Sequence, residues 1–136
     1  MKEATFSHWL VKHFREHGCF VQRLEVTTGS GVPDLAVLYQ GKTFWIELKW
    51  DTDHIRPEQH IWGLKAIQAN VPVFYVCGYE KDQKMDLFVS SSLNKPMSKS
   101  FKLNLLVCSL KRTKESIDIL LETVTKYAEN ESRRDS

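Results

Sequence analysis

The chain has 136 residues, the usual size of one compact domain. Hydrophobic residues make up 42% and charged residues 26%, a composition that excludes a disordered or fibrous protein. The net charge of +2 is too small to indicate nucleic-acid binding by itself. No run of about eighteen apolar residues is present and the N-terminus lacks an apolar signal core, so we expect a cytoplasmic protein that does not span a membrane.

Hydrophobic periodicity predicts alternating helices and strands along the chain. In order, the predicted elements are a helix over 4–17, a strand over 19–26, a hairpin of strands 34–39 and 42–50 around Gln40-Gly41, a helix from Pro57 to about Asn70, a buried strand over 73–77, a strand over 86–89, one or two weaker strands within 101–110, and a helix over 115–128. The second helix carries Ile61, Leu64 and Ile67 on one apolar stripe. The order predicts one mixed sheet flanked by helices, ending in a charged tail over 129–136 that is expected to fray.

The C-terminal third of the chain differs in charge from the rest. Residues 1–94 carry ten basic and eleven acidic side chains, whereas residues 95–114 carry six basic ones and no acid. On this feature alone, a solvated edge or loop is a better interpretation than a phosphate-binding surface. The composition divides the single domain into a core over 1–94 and a packed extension over 95–136.

The strand over 42–50 brings an acid and a base together. Its even-numbered residues from Phe44 to Trp50 point to one face, whereas Trp45, Glu47 and Lys49 point to the other. An isolated pair of this kind is typical of a solvent-exposed amphipathic strand. The hairpin register favours a different interpretation.

With Gln40-Gly41 as the turn, cross-strand partners have numbers that sum to 81, which places Asp34 opposite Glu47. Directly opposed residues have Cβ atoms about 5 Å apart, where two ionised carboxylates repel by roughly 3 kcal/mol at an effective dielectric near 20. Lys49 could compensate this charge, and a divalent ion such as Mg²⁺ or Mn²⁺ suits two hard oxygen ligands better. A slip of one residue in the register would separate the two acids.

Two more residues could join these groups. Gln59 lies in the first turn of the next helix and could reach the same end of the sheet, although a surface position is equally compatible with its place in the sequence. Glu3 could supply a third carboxylate, but an acid near the start of a helix also simply stabilises the helix dipole.

These residues resemble an ordered set of motifs found in one nuclease superfamily. Gly31-Val32-Pro33-Asp34 is followed by Ile46-Glu47-Leu48-Lys49, with Gln59 on the next helix and with Glu3 and Gly18 bounding the first. Over about residues 3–90 the chain is similar to the PD-(D/E)XK nucleases, in particular to the VRR-Nuc branch related to archaeal Holliday junction resolvases. The resemblance implies a restriction-endonuclease-like α/β core, with residues 95–136 as an extra strand and helix.

The resemblance also implies roles for individual residues. Asp34, Glu47 and the backbone carbonyl of Leu48 would hold Mg²⁺, for which Mn²⁺ could substitute, and Glu3 would be a candidate third acid. Lys49 would be the catalytic lysine that orients or deprotonates water, and Gln59 would assist it. Stand-alone members of the family are homodimers, so a homodimer that acts on DNA is expected.

We therefore expect a metal-dependent endodeoxyribonuclease that selects branched, flapped or Holliday-junction DNA in repair or recombination. It would be nucleoid-associated, or in the host cytosol if viral. The alternatives are a non-catalytic DNA-binding or protein-interaction module on the same scaffold, and a non-selective nicking or repair nuclease. Candidate DNA contacts are Ser30, Arg23, Arg56, His60 and Lys65.

Overall fold

The computed structural model describes residues 2–24, 30–51, 53, 55–90 and 105–133. Three helices and six strands follow the predicted order. They are α1 (Glu3–Glu16), β1 (Phe20–Arg23), β2 (Leu35–Tyr39), β3 (Lys42–Trp50), α2 (Pro57–Gln68), β4 (Val73–Gly78), β5 (Lys84–Val89), β6 (Leu105–Lys111) and α3 (Ser116–Arg133), with a 3-10 turn at Lys81–Gln83.

The six strands form one mixed sheet in the spatial order β1-β2-β3-β4-β5-β6. Only the β3–β4 pair is parallel among these strands, and α2 connects the two, as a parallel pair requires a crossover. α1 and α3 cover one face of the sheet and bury the main hydrophobic core against it. α2 covers part of the other face, where a smaller cluster contains Ile55, Val73 and Tyr75.

The β2–β3 hairpin has the predicted register. Tyr39 pairs with Lys42 and Leu35 pairs with Ile46, so the numbers sum to 81 throughout. Gln40 and Gly41 have φ angles of 49° and 79°, as the two central residues of a type I′ turn require. Asp34 itself lies in the bend immediately before β2.

The apolar stripe of α2 is not its buried face. Ile61 is 46% exposed, and the residues of α2 that are buried are Gln59 and Gly63. A Cβ atom at Gly63 would lie 2.9 Å from the Tyr75 hydroxyl oxygen, so the absence of a side chain lets α2 approach the sheet directly over Tyr75. Trp62 and Ala66 pack beside them against the cluster beneath α2. The stripe through Ile61 did not identify this face, because its two most buried residues are an amide and a glycine.

Some predicted boundaries also need correction. β1 ends at Arg23, short of the predicted strand, and residues 25–29 lie outside the described part of the chain. α3 continues to Arg133, so the expectation of a frayed tail is wrong for 129–133, where Glu and Arg are good helix formers. Residues 91–104, which include half of the basic segment over 95–114, lie outside the described part of the chain. Among the described residues, every helix is too short or too polar to span a membrane.

Candidate active site

β3 carries the acid and the base on the face beneath α2. Glu47 is 2% exposed and Lys49 is 7% exposed, although both side chains are charged in water. Glu47 pairs with Tyr75 and Lys49 pairs with Cys77 in the neighbouring parallel strand, so both lie in the middle of the sheet. Two ionisable groups buried this deeply need partners close by, because burial without compensation is costly.

Asp34 reaches Glu47 from the bend before β2. Its Oδ2 accepts a hydrogen bond from the Leu48 backbone N–H at 2.8 Å, and its carboxyl group is hydrogen-bonded to that of Glu47. Burial, followed by the hydrogen bond to Asp34 and its negative charge, raises the pKa of Glu47 to about 9. Lys49 and Arg56 lower the pKa only in part, so Glu47 is protonated at neutral pH and donates to Asp34.

Gln59 connects the acid and the base. Its Nε2 donates to Glu47 Oε2 at 2.5 Å, and its Oε1 accepts from Lys49 Nζ and from the Arg56 backbone N–H, both at 2.9 Å. The amide is 5% exposed. Because it accepts from the lysine and donates to the carboxyl, it fixes the relative positions of both groups without adding a charge.

Gly31 joins the loop before Asp34 to the start of α2. The residue is buried with a φ angle of +75°, and a Cβ atom built on it would lie 2.1 Å from the Glu58 carbonyl oxygen. The loop backbone therefore lies directly against the first turn of α2. This contact sets the separation between Asp34 and Gln59.

These groups open into a cavity of about 430 Å³. It is lined by Glu3, Asp34, Glu47, Leu48, Lys49, Asp53, Arg56 and Gln59. All the residues proposed for catalysis or metal binding therefore lie around one cavity, at the end of the sheet where β3 ends.

The comparisons with known proteins bear on this fold. No protein-family model matches the chain, and no curated protein does so. Among solved structures it is similar to Hjc, a Holliday junction resolvase from the archaeal hyperthermophile Archaeoglobus fulgidus, with a TM-score of 0.54 and 12% identity over 76% of this chain and 95% of that chain. The chain has the restriction-endonuclease-like fold. At this identity the likeness shows the fold alone.

Two further acids, Glu3 and Asp53, lie at the rim of the cavity. Glu3 is exposed, and its pKa is raised by partial burial and then by the charges of Asp53 and Asp34. Asp53 Oδ2 accepts from the Trp50 backbone N–H at 3.3 Å. Asp53 was not among the candidate site residues predicted from the sequence, although its position three residues after β3, in a short acidic segment with Asp51, could have indicated it.

The candidate DNA contacts are only partly brought together. Arg56 lines the cavity, with its Nε 3.2 Å from Glu58 Oε1. Ser30 is exposed beside the loop, Lys65 is exposed further along α2, and His60 is partly buried with its pKa lowered by burial. Arg23 donates to Ser7 Oγ of α1 at 2.8 Å, which holds it toward the opposite face of the sheet.

The donor set fits a hard divalent cation. Asp34 and Glu47 bring two carboxyl groups together, and burial and the charge of Asp34 raise the pKa of Glu47, an unfavourable interaction that a bound divalent cation would relieve. Within the described residues, no three His, Cys, Asp or Glu side chains converge as a metal cluster. The ligands would therefore be the two carboxylates and the backbone carbonyl oxygen of Leu48. The backbone N–H of Leu48 already donates a hydrogen bond to Asp34.

Proposed function

We propose that this protein is a metal-dependent endodeoxyribonuclease that hydrolyses phosphodiester bonds in branched DNA. The observation that carries the proposal is the contact between the carboxyl groups of Asp34 and Glu47, with the ammonium group of Lys49 held beside them by Gln59. Burying two adjacent acids and a lysine costs the fold free energy, and a role in chemistry accounts for their presence together.

The residues divide the chemistry between them. Asp34, Glu47 and the Leu48 carbonyl would hold Mg²⁺, with Mn²⁺ as a substitute; the bound ion would polarise a phosphoryl oxygen and lower the pKa of water. Lys49 would orient the attacking water and would stabilise the negative charge that develops on the phosphate. Gln59 keeps the Lys49 ammonium group in position, and Glu3 lies at the rim as a further acid.

The preference for branched DNA and the homodimer are proposed on the likeness to Hjc and on the motif set. Hjc is described as a Holliday junction resolvase, and its fold covers most of this chain. Gln59 in contact with both motif residues supports a place in the VRR-Nuc branch. Two copies of the site would cut paired strands in repair or recombination, so sedimentation with junction DNA is expected to show a complex of two chains and one junction.

A substrate panel tests the activity. We expect cleavage of a four-way junction and a flap with Mg²⁺ or Mn²⁺, at least about tenfold faster than cleavage of linear duplex or single strand, and none with EDTA. Asp34→Ala and Lys49→Ala should each lower the rate about a thousandfold, because each removes a group that acts on the reacting atoms.

Lys12→Ala and Asp118→Ala are matched controls, since both residues are exposed on the helices that cover the opposite face of the sheet. They should leave cleavage unchanged. Full activity of Asp34→Ala or Lys49→Ala would remove the assignment. Equal cleavage of all four DNAs would favour a non-selective nicking nuclease, and DNA binding without any cleavage would favour a non-catalytic module.

A further inference from the structure

Two lysines oppose each other on the face of the sheet that carries the candidate site. Lys84 of β5 pairs directly with Lys111 of β6. The next pair, Met85 and Leu110, points into the core beneath α1 and α3, so Lys84 and Lys111 point to the other face. Phe88, on the same side of β5 as Lys84, packs in the cluster beneath α2 and confirms this assignment.

The direct pairing of Lys84 with Lys111 does not stabilise the sheet. Like charges directly opposite each other in a ladder are destabilising. Lys84 Nζ lies over the Tyr79 ring, 4.8 Å from its centroid, and 3.8 Å from Asp86 Oδ2, so that lysine is partly compensated. Lys111 is exposed and has no ion-pair partner within the described residues. The acid nearest to Lys111 in sequence, Glu115, is exposed immediately before α3.

The lysine pair lies at a distance from the site that suits a DNA backbone. Lys49, Cys77, Asp86 and Ser109 form one row across the four strands, and the lysines lie two residues beyond it. With strands about 4.8 Å apart and a rise of about 3.3 Å per residue, Lys84 is about 12 Å and Lys111 about 16 Å from Lys49. Each DNA strand carries a phosphate every 3.4 Å or so along the axis, so this distance corresponds to about four nucleotides.

We propose that Lys84 and Lys111 bind DNA backbone phosphates about four nucleotides from the bond that is cut. An anion between the two ammonium groups would remove their repulsion, which gives the opposed pair on this face a functional reason. The proposal rests on the proposed nuclease function and extends it beyond the cavity. For Lys111, this proposal replaces the earlier interpretation of the basic segment as a solvated edge or loop.

Lys111→Glu separates a role in binding from a role in the fold. The glutamate would face Lys84 across the ladder, so the thermal midpoint should stay or rise. Affinity for a four-way junction and for a duplex, measured by fluorescence anisotropy with EDTA, should fall about tenfold. The slope of log K against log salt should become shallower by about 1, since one phosphate contact is lost. Lys111→Gln should give a smaller loss of the same sign.

Lys12→Glu on α1 makes the same change of charge on the opposite side of the sheet and should alter neither affinity nor slope beyond its small effect on net charge. Unchanged binding by Lys111→Glu, or a loss no larger than that of Lys12→Glu, would overturn the proposal while leaving wild-type cleavage intact. A lower thermal midpoint in Lys111→Glu would contradict the charge argument. Absence of wild-type cleavage, with the slope change present, would instead remove the nuclease function and leave the phosphate surface.

Discussion

Glu47→Gln is expected to abolish metal-dependent cleavage and, at the same time, to stabilise the metal-free protein above about pH 5. A glutamine has the shape of the protonated acid, can donate to Asp34 as protonated Glu47 does, and can accept from Gln59. It cannot supply the negative charge that a divalent ion needs. The same substitution therefore removes the chemistry and keeps the contacts of the metal-free fold.

The raised pKa of Glu47 determines whether the metal-free protein gains or loses stability as the pH rises. Burial and the charge of Asp34 raise the pKa of Glu47 to about 9 in the folded state, well above that of an unfolded glutamate. The folded chain then binds more protons than the unfolded chain, so the stability contribution is complete below about pH 4 and is lost as the pH rises toward 9. The free energy of unfolding of the metal-free wild type should fall by roughly 1 kcal/mol per pH unit between pH 5 and pH 8.

Chemical denaturation in EDTA across that range measures the effect. Glu47→Gln should lose the fall that this group causes, whereas Asp82→Asn, which removes an exposed acid from the turn before β5, should retain it. Mg²⁺ should stabilise the wild type, in which the ion displaces the proton of Glu47 and binds the carboxylate. It should not stabilise Glu47→Gln, which has no carboxylate at this position. A parallel pH profile for wild type and Glu47→Gln would show that Glu47 is ionised in the metal-free fold.

Local sequence patterns were sufficient to predict the hairpin that positions the acids. The turn residues Gln40 and Gly41 determine the register, and the register brings the start of β2, next to Asp34, close to Glu47. Alternation along β3 was likewise sufficient to put Glu47 and Lys49 on one face, because the strand is central and its other face is apolar. Such features depend on neighbours within about fifteen residues.

The position of α2 could not be predicted in this way. Its apolar stripe suggested a packing face through Ile61, yet the helix is held by Gly63 over Tyr75 and by Gln59 between Glu47 and Lys49. The contacts of Gln59 and Gly63 are polar or involve a missing side chain, and they join residues from different elements, while Trp62 and Ala66 pack beside them against the apolar cluster beneath α2. Hydrophobic periodicity carries no information about the contacts of Gln59 and Gly63, so only the motif resemblance indicated a role for Gln59.

Gly31→Ala is expected to destabilise the protein by roughly 2–4 kcal/mol and to lower cleavage about a hundredfold. A left-handed φ of +75° costs an alanine about 1 kcal/mol, and the added Cβ would lie 2.1 Å from the Glu58 carbonyl oxygen. Because that atom is backbone in the first turn of α2, the loop and the helix must move apart. Asp34 and Gln59 would then separate, and the geometry of the acids and Lys49 would be lost.

Gly18→Ala is a matched control for this substitution. Gly18 has a φ of +87° at the end of α1, but a Cβ atom there would meet nothing within 4 Å. It should therefore cost only the conformational strain, about 1 kcal/mol, and leave cleavage of the junction unchanged. Comparing thermal midpoints and single-turnover rates of the two variants isolates the contact with α2. Equal effects of Gly18→Ala and Gly31→Ala on both measurements would mean that the contact between the loop and α2 does not position the site.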